Sequence, residues 1–156
     1  MIKRLLHRWF NTPPALDAPF ITDKSGEKFW THWDDIDCLS VWYRGWPAGR
    51  VNLDFKTNGK VILADIIVFN SYPRSHRNLR KRGLGKAMLQ EAIRYAREHG
   101  AKLMWGWIQP DENTTVEYLV DWYRRQGFQV NDNLGIFLEI KDADNEKSFS
   151  PESKSE

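Results

Sequence analysis

Apolar and polar positions alternate along Arg50 to Lys56, where Val51, Leu53 and Phe55 are set against Asn52, Asp54 and Lys56. That alternation predicts a half-buried strand. Cys38 to Tyr43 reads as the strand before it, with Arg44-Gly45-Trp46-Pro47-Ala48-Gly49 as the turn between them. Thr57-Asn58-Gly59-Lys60 carries an Asn-Gly hairpin signal. Val61 to Phe69 is apolar on both faces apart from Asp65, as a central strand would be. The three strands predict an antiparallel meander.

After the meander the periodicity becomes helical. Leu84 to His99 places Leu84, Ala87, Met88, Ala92, Tyr95 and Ala96 on one stripe, with Gly100 as its stop. Lys102 to Ile108 reads as a short strand with Trp105 and Trp107 on one face. A strand, a helix and a strand imply a right-handed crossover, so this strand is expected parallel to Val61–Phe69. Gln109 to Asn113 is a loop, and Thr114 or Thr115 can N-cap a second helix with Val116, Leu119, Val120 and Tyr123 inward. Gly127 ends that helix. Phe128–Val130 and Gly135–Lys141 read as final strands joined through Asn131-Asp132-Asn133.

The two ends of the chain look different. Met1 to Phe10 reads as a short amphipathic helix with Ile2, Leu5, Leu6 and Trp9 on one face, stopped by Asn11-Thr12-Pro13-Pro14. Residues 15 to 37 read as irregular, with one short strand around Lys28 to His32. Asp142 to Glu156 holds five acidic residues and two lysines and is expected to be disordered. The expected organisation is an N-terminal helix and irregular segment (1–37) packed on a core domain (38–141), followed by an acidic tail (142–156).

Length changes the picture little: 156 residues suit one such domain. The single Cys38 cannot form an internal disulfide and reads as a small core residue. No apolar run approaches a membrane span, and Met1 to Phe10 lacks the apolar stretch of a signal peptide. A cytoplasmic protein without a membrane partner is expected. Net charge is +2, but the tail carries −3, so the remaining chain is +5.

Much of that positive charge lies around Arg80-Lys81-Arg82-Gly83-Leu84-Gly85-Lys86, with Arg74 and Arg77 before it. No acidic residue occurs between Asp65 and Glu91. A strand that enters a glycine loop and leaves as a helix is suited to phosphate. The glycines let the backbone turn tightly, and the first turn of the helix offers unpaired N–H groups and the positive end of its dipole. The spacing is not that of a magnesium-dependent P-loop, because neither Ser nor Thr follows Lys86.

The Arg-x-x-Gly-x-Gly run resembles the signature of the GCN5-related N-acetyltransferase (GNAT) family. A second segment, Leu119-Val120-Asp121-Trp122-Tyr123-Arg124-Arg125-Gln126-Gly127-Phe128, looks like that family's terminal aromatic-Tyr-x-x-x-Gly-Phe element, and its Tyr123 lies 38 residues after Gly85. The resemblance covers roughly residues 38 to 141. It implies an α/β (mixed α+β) acyl-CoA N-acyltransferase fold, in which the meander is followed by β-α-β with a splayed parallel strand pair.

Acetyl-coenzyme A would then be the co-substrate and an amine the acceptor, with no metal. The coenzyme's pantetheine arm would pair with backbone near Val68 and Phe69. Its pyrophosphate would rest on Arg80, Lys81, Arg82, Gly83, Leu84, Gly85 and Lys86. Tyr123 matches the family tyrosine that can protonate the leaving sulfur. Asp65, the one charge in an apolar strand, is the candidate base; an unpaired buried carboxylate is costly, so it should face a cleft or a partner. The alternative for Asp65 is a structural bond to the neighbouring strand or an arginine.

Two other functions are compatible with the residues. One is a coenzyme-binding interaction protein of the same fold without catalysis. The other is a nucleic-acid-binding module, against which the eight tryptophans are scattered rather than interleaved with the basic run. Trp30, Trp33, Trp42 and Trp46 either line an acceptor pocket or fill the core. A homodimer stays open.

Overall fold

A computed structural model describes residues 17–69 and 82–142. The strands are β1 (Phe20–Thr22), β2 (Lys28–Trp33), β3 (Cys38–Tyr43), β4 (Trp46–Phe55), β5 (Lys60–Val68), β6 (Leu103–Trp107), β7 (Gln129–Val130) and β8 (Gly135–Glu139). The helices are α1 (Leu84–Glu98) and α2 (Val116–Arg125). The strands form one mixed sheet in the order β1-β2-β3-β4-β5-β6-β8-β7. The expected Met1–Phe10 helix, the loop from Asn70 to Leu79 and nearly all of the tail lie outside the described residues.

The chain divides into two compact units, Met1–Asp54 with Leu63–Ala92, and Phe55–Ile62 with Ile93–Glu156. In the first, β1 to β4 are an antiparallel meander with Phe20 opposite Trp30, Trp30 opposite Trp42, and Ser40 opposite Arg50. One face supplies the core: Phe29, Leu39, Val41 and Val51 are fully buried, and Leu53 and Leu63 nearly so. Leu84, Met88, Leu89 and Ala92 of α1 are buried with them, at helical spacing. Each buried Leu, Val or Met among them contributes about 1.5–3 kcal/mol. Trp33 fixes the helix further by donating from Nε1 to Oε1 of Glu91 at 3.1 Å.

The segment before residue 38 is more regular than its composition suggested, since β1 and β2 are both strands of the sheet. The expected turn at Arg44–Gly49 is also shorter. Arg44 (φ 49°) and Gly45 (φ 80°) form the turn, and β4 begins at Trp46. Both central residues at positive φ match the twist of a two-residue hairpin. Pro47 and Gly49 look like turn residues but lie inside the strand. Pro47 faces Trp42 next to a register shift between Val41 and Trp42, where a missing donor is tolerated. Gly49 allows close packing: a Cβ there would stand 2.7 Å from the Ile67 carbonyl oxygen and 2.9 Å from Met88 Cε.

In the second unit, the Asn58-Gly59 turn is as expected, with φ of 62° and 70°. The Gly59 carbonyl accepts from Lys102 N–H at 2.6 Å and so meets the start of β6. β6 pairs antiparallel with β8, Trp105 opposite Phe137, and β7 pairs with the other edge of β8. Thr115 is the N-cap of α2, its hydroxyl accepting from Tyr118 N–H at 3.1 Å. Met104, Ile136, Tyr123 and Phe128 are buried here. Among the described residues, no helix is long and apolar enough to cross a membrane.

β5 is irregular in a way that matters for its one charge. Lys56 N–H donates to the Lys60 carbonyl at 2.8 Å, and Phe69 N–H donates to the Ala48 carbonyl at 2.9 Å. Between these bonds β4 advances eight residues and β5 nine, so β5 contains an extra residue, a β-bulge. Val61 and Leu63 alternate into the core. Without a bulge Asp65 would follow them inward. Instead its carboxylate meets Arg50, whose neighbours Gly49 and Val51 are buried and which is itself exposed. The extra residue therefore lies between Leu63 and Asp65.

Candidate functional site

Gly83 leads the chain into α1 with φ of 79°, a conformation that a side chain rarely adopts. Its carbonyl accepts the first helical bond, from Ala87 N–H at 3.1 Å. The N–H groups of Leu84, Gly85 and Lys86 thus precede the helical ladder and have no partner within it. The first turn contains no acidic residue. Leu84 is 1% exposed and anchors the turn, whereas the Lys86 side chain is exposed. Such a helix start favours an anion through its amide geometry and dipole.

The side chain of Arg82 faces the β1–β2 turn. Its Nη2 donates to Oε2 of Glu27 at 2.6 Å and stands 2.9 Å from Oδ2 of Asp23. The Asp23 side chain has no solvent exposure. The Asp23 contact is an ion pair without hydrogen-bond geometry, since Oδ2 has no hydrogen-bond partner. Oδ1 of Asp23 accepts from Ser25 N–H, Ser25 Oγ and Glu27 N–H at 2.9, 2.7 and 3.0 Å. Burial disfavours the charge of Arg82, but its hydrogen bond to Glu27 and the two carboxylate charges outweigh this and raise its pKa. The Arg82 side chain is thus committed to the β1–β2 turn. Its main chain is too: the Arg82 carbonyl accepts from Lys24 N–H at 2.8 Å. Arg80 and Lys81 lie outside the described residues.

Sequence reasoning missed Asp23, Lys24 and Glu27. Asp23-Lys24-Ser25-Gly26 is recognisable as a turn, but nothing local says that it meets Arg82.

At the end of β5, Val68 and Phe69 are half-buried. The Phe69 N–H is used by Ala48, so this strand end offers a ligand less backbone than expected. Asp65 is 3.3 Å from Arg50 Nη2, with both side chains well exposed (32% and 49%). Cys38 lies nearby. Burial raises its pKa first, the Asp34 and Asp65 charges add to this, and Arg50 opposes it, so the thiol is a poor nucleophile.

In the second unit, Tyr123 is buried at 6% exposure. Its ring makes edge contacts with Trp122 at 4.9 Å and Phe128 at 5.4 Å. His99 stacks on Tyr95 at 4.0 Å, at the end of α1. Of the tryptophans from 30 to 46, Trp42 is buried and Trp30, Trp33 and Trp46 are half-buried. Among the described residues no group of three or more His, Cys, Asp or Glu could hold a metal ion.

A mixed sheet with a glycine turn into α1 and a later helix ending in Tyr-x-x-x-Gly-Phe defines an acyltransferase class of fold. The model of the acetyltransferase (GNAT) family matches residues 3–128, and the chain belongs to that family. Solved structures of the same fold include a Bacillus subtilis acetyltransferase in complex with CoA (19% identity, 67% of this chain and 77% of that one, TM-score 0.52). Another is a GNAT family acetyltransferase from Elizabethkingia anophelis with acetyl-CoA bound (13% identity, 66% of this chain and 75% of that one, TM-score 0.53). A search of curated proteins gave no match.

Proposed function

We propose that the protein is an acetyl-coenzyme A-dependent N-acetyltransferase that acts by direct attack of an amine on the thioester. The observation that carries this reading is Gly83 at φ 79°, opening a helix whose first turn has no acid, in a chain of the GNAT family. The pyrophosphate would sit on the amides of the Arg80–Lys86 loop, with Val68 and Phe69 beside the pantetheine arm. The bound coenzymes in the Bacillus subtilis and Elizabethkingia anophelis structures support this ligand class.

In the reaction the amine nitrogen bonds to the carbonyl carbon, the C–S bond breaks, the nitrogen loses a proton and the sulfur gains one. Placing the two reactants together supplies most of the rate. Tyr123 is proposed to donate to the sulfur. Asp65 is the candidate to receive the amine's proton through water, in competition with its ion pair to Arg50.

Acetyl-coenzyme A at a hundred times its dissociation constant should stabilise the fold by about 2.7 kcal/mol. Free coenzyme A should do nearly as well, and turnover should appear with an amine panel. A melting curve unmoved by millimolar coenzyme but shifted by single-stranded RNA would refute the enzyme reading. Stabilisation without turnover on any amine would leave a coenzyme-binding interaction protein.

A further inference from the structure

We propose that Lys24, on the turn between β1 and β2, is a further phosphate-binding residue of the coenzyme site, and that the Asp23–Arg82–Glu27 cluster positions it. The inference rests on the coenzyme reading above.

Three observations converge on Lys24. First, its N–H donates to the Arg82 carbonyl at 2.8 Å, which joins the β1–β2 turn to the residue before Gly83. Second, its side chain lies along Gly83: Cγ is 2.7 Å and Cε 3.5 Å from the place a Cβ on Gly83 would occupy. The ammonium is one bond beyond Cε. That brings it within reach of a phosphate held at roughly 2.9 Å by the amides that follow Gly83.

The third observation is charge. Asp23 and Glu27 place two carboxylates beside a site for a polyanion. Arg82 pairs with both. Lys24 adds a further positive charge to this turn, and it makes no ion pair among the described residues. A lysine ammonium is a compact point charge on a flexible stem, suited to a phosphate that it approaches from one side. Buried Asp23 gives the turn rigidity that a surface lysine otherwise lacks: its Oδ1 accepts from two main-chain N–H groups and one hydroxyl of the same turn. Arg82 is therefore a positioning residue, acting on the phosphate site through the turn that carries Lys24.

The test is coenzyme A binding by calorimetry to the wild type, Lys24→Met and Lys24→Arg, each at low and high salt. Methionine keeps an aliphatic stem over Gly83 and removes only the charge. Lys24→Met should weaken binding about tenfold at low salt, and the deficit should shrink as salt screens the missing charge. Lys24→Arg should recover most of the affinity. Wild-type affinity in Lys24→Met at both salts would overturn the role of Lys24 and leave the coenzyme reading standing. A salt-independent loss shared equally by Lys24→Arg would also overturn it, because that is the signature of lost packing. A wild type that binds no coenzyme A would overturn the coenzyme reading and this inference with it.

Discussion

Nη2 of Arg82 stands 2.9 Å from Oδ2 of Asp23, a carboxylate with no solvent exposure. A residue from the glycine loop thus neutralises a buried acid on a turn near the start of the described chain. Arg82→Ala would leave that acid buried and uncompensated, with a cost of about 2–4 kcal/mol. The urea midpoint should fall with an unchanged slope. Adding Asp23→Asn should restore much of the loss, because it removes the charge that needed a partner. A wild-type midpoint for Arg82→Ala would mean that the pair contributes nothing.

Gly83 and Gly100 have nearly the same φ, 79° and 81°, but different surroundings. A Cβ at Gly83 would meet Lys24 Cγ at 2.7 Å, while one at Gly100 meets nothing within 4 Å. Both alanine variants carry a conformational cost of about 1–2 kcal/mol. Gly83→Ala should lose more than Gly100→Ala, and only Gly83→Ala should weaken coenzyme binding. Equal losses in melting temperature and equal coenzyme affinities would show that the approach of Lys24 has no consequence. A charged side chain such as Gly83→Glu combines the strain with repulsion of phosphate, so it should lose stability as well as affinity.

For Asp65, two roles predict different pH behaviour. As the base, Asp65→Asn should shift the pH–rate profile and cut turnover most at lower pH, where less free amine exists. As the partner of Arg50 alone, it should leave the profile in place and change stability by less than about 1 kcal/mol, as exposed ion pairs do. The measured profile decides between the two.

Tyr123→Phe keeps the ring contacts with Trp122 and Phe128 and removes only the hydroxyl. A phenol has a reference pKa of about 10 and a thiol about 8.5, so full proton transfer to a thiolate is uphill by roughly 2 kcal/mol. A donor of this kind supports charge developing on sulfur and falls at the low end of general-acid effects. Turnover should drop by about a hundredfold with little change in the coenzyme's dissociation constant. Undiminished turnover would make Tyr123 a packing residue.

The raised pKa of Cys38 lowers its thiolate fraction at any given pH. Alkylation by iodoacetamide near neutral pH should be slower than for an unperturbed thiol, whose pKa is about 8.5. Its rate should level off at a higher pH than the free amino acid's. A rate matching free cysteine would contradict the burial that raises the pKa.

By itself the sequence determined the elements whose signals are local. Alternation along Arg50–Lys56, the Asn58-Gly59 turn, the helical stripe from Leu84 and the Thr115 cap all appear where the residues place them, because periodicity and turn chemistry act over a few neighbours. The glycine loop and the Tyr123 segment were legible for the same reason, as short runs with fixed spacing. Tertiary structure alone decided the rest. Pro47 and Gly49 sit inside β4 because Trp42, Ile67 and Met88 accommodate them there. Asp65 turns to Arg50 because a bulge moves it off the core face, and a bulge is a mismatch between two strands that neither records alone. Arg82 reads as part of a basic run, but it faces Asp23 and Glu27, since a charge meets whatever the fold brings to it from distant parts of the chain.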